Sequence, residues 1–324
     1  MIWNICLLLA GCGLLLAGAH WLVKGAAEIA VALKIPKAIV GLSLVAFGTS
    51  APELIVNLIA AYQGETRFAL ANVSGSNLTN LLVGFGLCGM LGGLIIPWRT
   101  FAFDLWALVL SATIPLGILL ARGHLPLWSV LLLGAGVIAY VLTIRHRFKN
   151  KPPDPIEQNH PQLAWSSLLF LLGAVFLYGG GHLVLEGAIA IAAKLQIDTA
   201  LVGLTIVAAG TSSPDAVASL VAVRRGEHDI AVGNLLGSNI ANILVVLSGT
   251  LLAAWAGSTV EPTRLDADWT TILDYAAVLA ASISFFGLSV YRGRIGRMSG
   301  SLMIVCFCLY MGFRIYLTLR IGGG

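Results

Sequence analysis

Charge is what this chain has least of. Of its 324 residues only 10% are Asp, Glu, Lys or Arg, against roughly 25% in an ordinary soluble domain. With 58% hydrophobic residues and a mean hydropathy of +0.92, too few polar side chains remain to cover a water-soluble fold. A soluble enzyme, a nucleic-acid-binding module and a disordered chain are thereby excluded. The net charge of +4 is too slight to demand a polyanionic partner. Cysteine is also sparse. Cys6, Cys12, Cys88, Cys306 and Cys308 lie in apolar runs without framework spacing or a neighbouring histidine. They read as small buried hydrophobes, not disulfide partners or metal ligands. Neither a basic stretch nor a small-residue cleavage site accompanies the first apolar run, which therefore reads as a span and not a signal peptide.

What abounds is apolar sequence long enough to cross a bilayer, about 18 residues or more per helix. Ten such runs are predicted, at 5–33, 38–62, 68–96, 103–121, 126–144, 164–194, 199–223, 230–256, 272–291 and 299–319. The longest polar connection, RHRFKNKPPDPIEQNHPQ from Arg145 to Gln162, is a Pro-rich linker at mid-chain. The domain plan is a first five-helix repeat at 1–144, a linker at 145–163 and a second repeat at 164–324. Ten spans leave both termini on one side. Loops on the other side carry twelve basic residues: Lys34, Lys37, Arg99, Arg145, Arg147, Lys149, Lys151, Arg224, Arg225, Arg292, Arg294 and Arg297. The terminal side carries five: Arg67, Arg122, Lys194, Arg264 and Arg320. The positive-inside rule then puts the linker in the cytoplasm and both termini outside, with the chain in the cell (inner) membrane and the lipid bilayer as its solvent.

The chain repeats itself. AIVGLSLVAFGTSAPELIVNLIAAYQGETRFALANVSGSNLTNLLV starts at Ala38, and ALVGLTIVAAGTSSPDAVASLVAVRRGEHDIAVGNLLGSNIANILV starts 162 positions later at Ala200, without a gap. The match reaches into the first span, where Gly18, His20, Gly25 and Ala26 pair with Gly180, His182, Gly187 and Ala188. Five spans per copy is an odd number, so the copies run through the membrane in opposite senses. The expected fold is thus an all-α integral membrane protein of ten transmembrane helices in two inverted five-helix repeats, the pattern of a secondary transporter with a midplane site.

The best-matched residues are polar. Ala46, Thr49, Ser50 and Glu53 share one face of the second span, and Asn72, Ser76 and Asn80 share one face of the third. Ala208, Thr211, Ser212 and Asp215, then Asn234, Ser238 and Asn242, are their counterparts in the second copy. Pro52 and Pro214 sit mid-helix and are expected to free the carbonyls of Gly48 and Gly210. Glu53 and Asp215 are the only acids placed deep in the bilayer, where a carboxylate costs about 3 kcal/mol and marks function. Such an all-oxygen set suits hard cations such as Na⁺ and Ca²⁺, whereas a transition metal would call for His or Cys. Gly75 and Gly237 read as close-packing positions. His20 and His182 read as hydrogen-bonded packing residues and not proton relays. Lys24 either snorkels or pairs with Glu28.

The segments VAFGTSAPE, NVSGSNLTN, VAAGTSSPD and NLLGSNIAN resemble the paired repeats of the calcium/cation antiporter superfamily, and more narrowly its sodium/calcium exchangers. The resemblance covers the ten-span layout of the whole chain. It implies Na⁺ and Ca²⁺ as transported substrates, with no cofactor and no catalytic residue. Glu53 and Asp215 would be the central carboxylates, and Thr49, Ser50, Thr211 and Ser212 would offer hydroxyl or backbone oxygens. Ala46 and Ala208 would offer carbonyls, with Ser76, Asn80, Ser238 and Asn242 completing the cage. It further implies alternating access, with the long, glycine-bearing first and sixth spans sliding over the rest. A third Na⁺ per Ca²⁺, also implied, would carry one net charge per cycle. Many microbial members have Glu in both proline motifs and an Asp in the eighth span. Asp215 and Asn242 instead resemble the second repeat of animal-type exchangers.

Three other readings fare worse. Proton-coupled calcium antiporters of the superfamily carry GNAxxE-like segments in place of GTSxPE. An intramembrane aspartyl protease needs YD and GxGD settings that surround neither acid. A channel does not need two inverted halves.

Overall fold

Inside a bilayer every backbone N–H and C=O must find its partner within the chain, which leaves helix as the open conformation for apolar runs of this length. The computed structural model describes residues 2–32, 50–148, 163–224, 226, 228–257 and 264–321, and the apolar runs within them are helical. The first half holds α1 (Ile2–Ala32), α2 (Ala51–Tyr62), α3, α4 (Ala102–Arg122) and α5 (Ser129–Phe148). Helix α3 starts as Thr66–Leu78, loosens into a π-helical stretch at Thr79–Gly84 and ends as Phe85–Gly92. The second half holds α6 (Leu163–Leu195), α7, α8, α9 (Trp269–Arg292) and α10 (Arg297–Ile321). Helix α7 comes in pieces: Thr199–Val202, a π-helical Gly203–Val207, Ala208–Thr211 and Ser213–Arg224. Helix α8 runs His228–Ala241, π-helical Asn242–Val246 and Leu247–Gly257.

Among the described residues, eight of these helices are long and apolar enough to cross a membrane. The other two carry much of the polar face: α2, whose predicted span begins outside the described residues, and α3 with its amides and hydroxyls. Helix α5 runs past its expected end, so Arg145, His146 and Arg147 are helical and not part of the linker. Arg147 explains the extension. Its guanidinium donates to Asp104 Oδ2 at 2.9 Å and to the Thr100 carbonyl, tying the end of α5 to the start of α4.

The repeat is visible in the backbone. The α2–α3 and α7–α8 turns use Gly64 and Gly226, matched positions with φ of +87° and +81°. A side chain there would meet the left-handed penalty that glycine avoids. Two short antiparallel ribbons tie the halves together. Strand β1 (Leu94–Ile95) pairs with β4 (Arg294–Ile295), and β2 (His124–Pro126) pairs with β3 (Arg264–Asp266). Each ribbon takes one strand from each half.

Helices α1 and α6 pack on one another as an antiparallel pair. Gly11, Gly18 and Gly25, and their matches Gly173, Gly180 and Gly187, fall every seven residues along the contact. A Cβ on Gly18 would stand 2.8 Å from the Leu177 nitrogen, and one on Gly180 2.9 Å from the Leu15 nitrogen. Backbone thus lies against backbone, the small-residue packing that joins helices where the lipid is as apolar as leucine. Helices α3 and α8 form the centre: residues Phe68–Leu78 and Ala231–Ile240 are buried without interruption. The cysteines depart from expectation. Cys88 is buried, but Cys6, Cys306 and Cys308 face outward, because at a lipid-facing position the bilayer itself supplies the apolar surroundings.

Candidate cation-binding site

Ser50 and Ser212 stand directly before the helices that carry the two prolines. They share one backbone conformation, φ −86° and ψ 2° against φ −83° and ψ −1°, and each precedes a helix that opens with Ala-Pro-Glu or Ser-Pro-Asp. Proline fits the first turn of such a helix because the N–H it lacks would be unsatisfied there anyway. The carboxylates of Glu53 and Asp215 therefore stand beside the N-terminus of a helix, where its dipole favours negative charge. The expectation of a free Gly210 carbonyl is corrected: Ser213 Oγ donates to it at 2.7 Å, the hydroxyl replacing the missing proline N–H. Gly48, Thr49 and Ala46 lie outside the described residues.

Side chains from both halves converge on the two acids. Glu53 is 1% exposed and Asp215 0%. Ser212 Oγ donates to Glu53 Oε1 at 2.7 Å, from the other half of the chain. Asn80 Nδ2 donates to Asp215 Oδ2 at 2.8 Å, again across the halves, and Ser238 Oγ donates to Asp215 Oδ1 at 2.9 Å. Each acid thus takes a donor from the opposite half of the chain. Several buried atoms around them have no hydrogen-bond partner: Glu53 Oε2, Ser50 Oγ, Ser76 Oγ, Asn80 Oδ1 and both side-chain polar atoms of Asn242. Buried oxygens of this kind are costly unless something satisfies them, and a hard cation does so with several ligands at once. Thr211 Oγ1 turns back to the Ala208 carbonyl at 3.4 Å, which also accepts from the Ser212 nitrogen at 3.0 Å. Asn80 and Asn242 both sit where an α-helix loosens into a π-helical turn, an irregularity often found at functional sites. Gly75 allows the close approach on which this depends, since a Cβ there would collide with the Leu204 carbonyl of α7. No group of three or more His, Cys, Asp or Glu occurs among the described residues, so neutral oxygens would make up most of any ligand set.

Asn57 and Ser219 are polar residues not singled out from the sequence. Asn72 Nδ2 donates to Asn57 Oδ1 at 2.9 Å, and its match Asn234 donates to Ser219 Oγ at 3.0 Å and to the Asp215 carbonyl at 3.2 Å. These bonds brace the helices that carry the acids. Asn57 and Ser219 stand 162 apart, so the repeat could have found them. Nor are Glu53 and Asp215 the only buried acids. Asp104 accepts from Tyr140, and Asp274 accepts from Tyr310 and from Arg314 Nε at 2.6 Å. Both acid–tyrosine pairs are 36 residues apart in sequence, the signal that was available. The histidines do not join the site: His20 is exposed, and His182 lies edge-on to Tyr178 at 4.7 Å. Glu28 accepts from Ser166 Oγ at 2.6 Å.

Comparison with known proteins follows the same lines. The family described as "Sodium/calcium exchanger protein" matches residues 3–146 and 165–316. CaxA of Alkalimonas amylolytica is 34% identical over 312 residues, which are 93% of this chain and 95% of that protein. The sodium/calcium exchanger MaX1 of Methanosarcina acetivorans is 28% identical over 284 residues, 75% of this chain and 81% of that one. A solved structure of the sodium-calcium exchanger NCX_Mj, soaked with 2.5 mM Na⁺ and 1 mM Sr²⁺, superposes with a TM-score of 0.66 at 26% identity, covering 96% of this chain and 98% of that one.

Proposed function

Because the chain belongs to the sodium/calcium exchanger family, we propose that it exchanges Na⁺ for Ca²⁺ by alternating access, electrogenically and without K⁺. At the coarser level it is an integral membrane cation antiporter, a transporter and not an enzyme. The observation that carries the finer reading is the pair Glu53 and Asp215, one from each half, buried among hydroxyls and amides whose oxygens are only partly satisfied. Two carboxylates balance one Ca²⁺ or two Na⁺, so the two loads compete for one site. A third Na⁺ would carry one net charge, which feels about 2.3 kcal/mol per 100 mV.

In this reading the ligands come from Glu53, Asp215, Thr49, Ser50, Ser76, Asn80, Thr211, Ser212, Ser238 and Asn242, with the carbonyls of Ala46 and Ala208. The halves 1–144 and 164–324 act as the two inverted repeats. The pair of α1 and α6 slides over the rest as one body, held together by the backbone-to-backbone packing of its facing glycines. The basic excess assigns the linker to the cytoplasm and both termini to the outside of the inner membrane.

The test is calcium uptake into vesicles reconstituted with the purified chain. An outward Na⁺ gradient should drive uptake, and an inside-negative potential should slow it. Uptake driven by a proton gradient and indifferent to Na⁺ would move the reading to proton-coupled antiport.

A further inference from the structure

The end of α9 and the start of α10 line an open cavity with a strongly basic wall, away from the two acids. Arg292, Arg294, Arg297 and Ser299, with Ile95 and Met298, line a space of about 590 Å³ beside the β1–β4 ribbon. None of these three arginines is paired with a carboxylate among the described residues, and Arg292 reaches only Ser299 Oγ, at 3.5 Å. Arg297 and Ser299 stand in the first turn of a 25-residue helix, so backbone N–H groups and the helix dipole add to the positive field. Such a cavity repels a calcium ion and suits an anion.

The fold does not require this charge. The other ribbon, built from β2 and β3, has Arg122, His124, Leu127 and Ser129 at the corresponding places, 170 residues earlier. Arg122 there lies over the Trp128 ring, Ser129 is fully buried, and β3 supplies Asp266. One ribbon thus mixes its signs, while its counterpart gathers three arginines around an open space. Two further features say what kind of anion fits. Ile95 and Met298, both lining residues, are 55% and 79% exposed, so part of the rim is apolar. The cavity lies where two membrane-spanning helices end, on the side that carries the excess of Lys and Arg. A phosphate group attached to acyl chains meets both conditions, and a soluble phosphate meets only the first.

We propose that this cavity binds the phosphate headgroup of an anionic phospholipid, with Arg292, Arg294 and Arg297 as counter-charges and the acyl chains against Ile95 and Met298. Binding of phosphatidylglycerol and of phosphatidylcholine to the delipidated full chain, followed by native mass spectrometry, tests it without reference to transport. Phosphatidylglycerol should bind and phosphatidylcholine should not. Each arginine-to-glutamine change should weaken binding about fivefold, and the triple R292Q/R294Q/R297Q variant on the order of 100-fold. R122Q at the opposite ribbon should leave it unchanged. The single variants, at exposed positions, keep the test informative should the triple variant melt early. Equal binding by wild type and the single variants, or equal affinity for both lipids, overturns the proposal. Displacement of the lipid by millimolar inorganic phosphate overturns it too, by assigning the cavity to a soluble anion.

Discussion

Replacing Asp215 by Asn separates charge from shape at the candidate site. The substitution keeps size and planarity but deletes one of two negative charges. Stability should change little. Asn80 can present its unpartnered Oδ1 to the new amide, and the Ser238 hydroxyl can reverse from donor to acceptor. Exchanging one such bond costs roughly 0.5–1.5 kcal/mol. Binding should change far more. A unit charge pair at 4 Å, with an effective dielectric of about 20, is worth about 4 kcal/mol. For a divalent ion the figure doubles to about 8 kcal/mol. If half is offset because a carboxylate no longer has to be kept ionised in a buried place, about 4 kcal/mol remains, near a thousandfold in Ca²⁺ affinity. For Na⁺ the lost attraction is about 4 kcal/mol and the same offset cancels most of it, so Na⁺ affinity should change little. D215N should therefore lose calcium transport while staying folded, and should shift its preference toward Na⁺. Glu53→Gln should abolish calcium transport equally. Sodium-driven ⁴⁵Ca uptake, paired with the ion dependence of the melting temperature, reads both quantities. Near-wild-type Ca²⁺ exchange in either variant refutes the assignment of these carboxylates as central ligands.

Exchange should persist when K⁺ is replaced by choline or Li⁺. Asn80 and Asn242 are neutral, and a K⁺ added beside Ca²⁺ would be an uncompensated buried charge costing several kcal/mol; a rate that collapses without K⁺ and returns with it refutes this, and N242D is the variant in which such a dependence should arise. A cysteine placed at Asn150 should resist impermeant reagents applied to intact cells, and ready labelling reverses the orientation. Arg314→Met should destabilise by about 3–5 kcal/mol, because it strands the Asp274 carboxylate in the bundle, whereas Asp274→Leu with Arg314→Met should recover most of the loss; equal melting temperatures for wild type and the single variant would contradict the pairing. Burial works against the Asp268 charge, but hydrogen bonds from Thr271 and Thr270 and the Arg67 guanidinium hold its carboxyl below the ordinary 3.8. A depressed value means stability present above about pH 4 and lost as pH falls through the lower folded value, so D268N should flatten the acid limb of the melting curve.

Membrane residence, the helical class and the duplicated polar motifs were all legible in the sequence, for a simple reason. Each rests on a physical rule that acts locally along the chain: apolar length against bilayer thickness, and polar residues retained where lipid penalises them. The repeat did more, since matched positions with unlike neighbours single out residues such as Glu53 and Asp215 without any contact information. Local rules fail where partners are distant. Nothing in the motif GTSSPD says that Ser213 closes the Gly210 carbonyl, or that Asp215 takes a donor from Asn80, 135 residues away. The Asp104–Tyr140–Arg147 and Asp274–Tyr310–Arg314 clusters left only a common 36-residue spacing of acid and tyrosine in the sequence, and their arginines, 43 and 40 residues from the acids, do not share even that. Lipid exposure of Cys6, Cys306 and Cys308 depends on which face of a helix turns outward, and an all-apolar helix shows no periodicity from which to read it. Composition and repetition thus determined that the chain spans the membrane and where its polar residues concentrate, whereas only the packing of ten helices decided which of those residues meet.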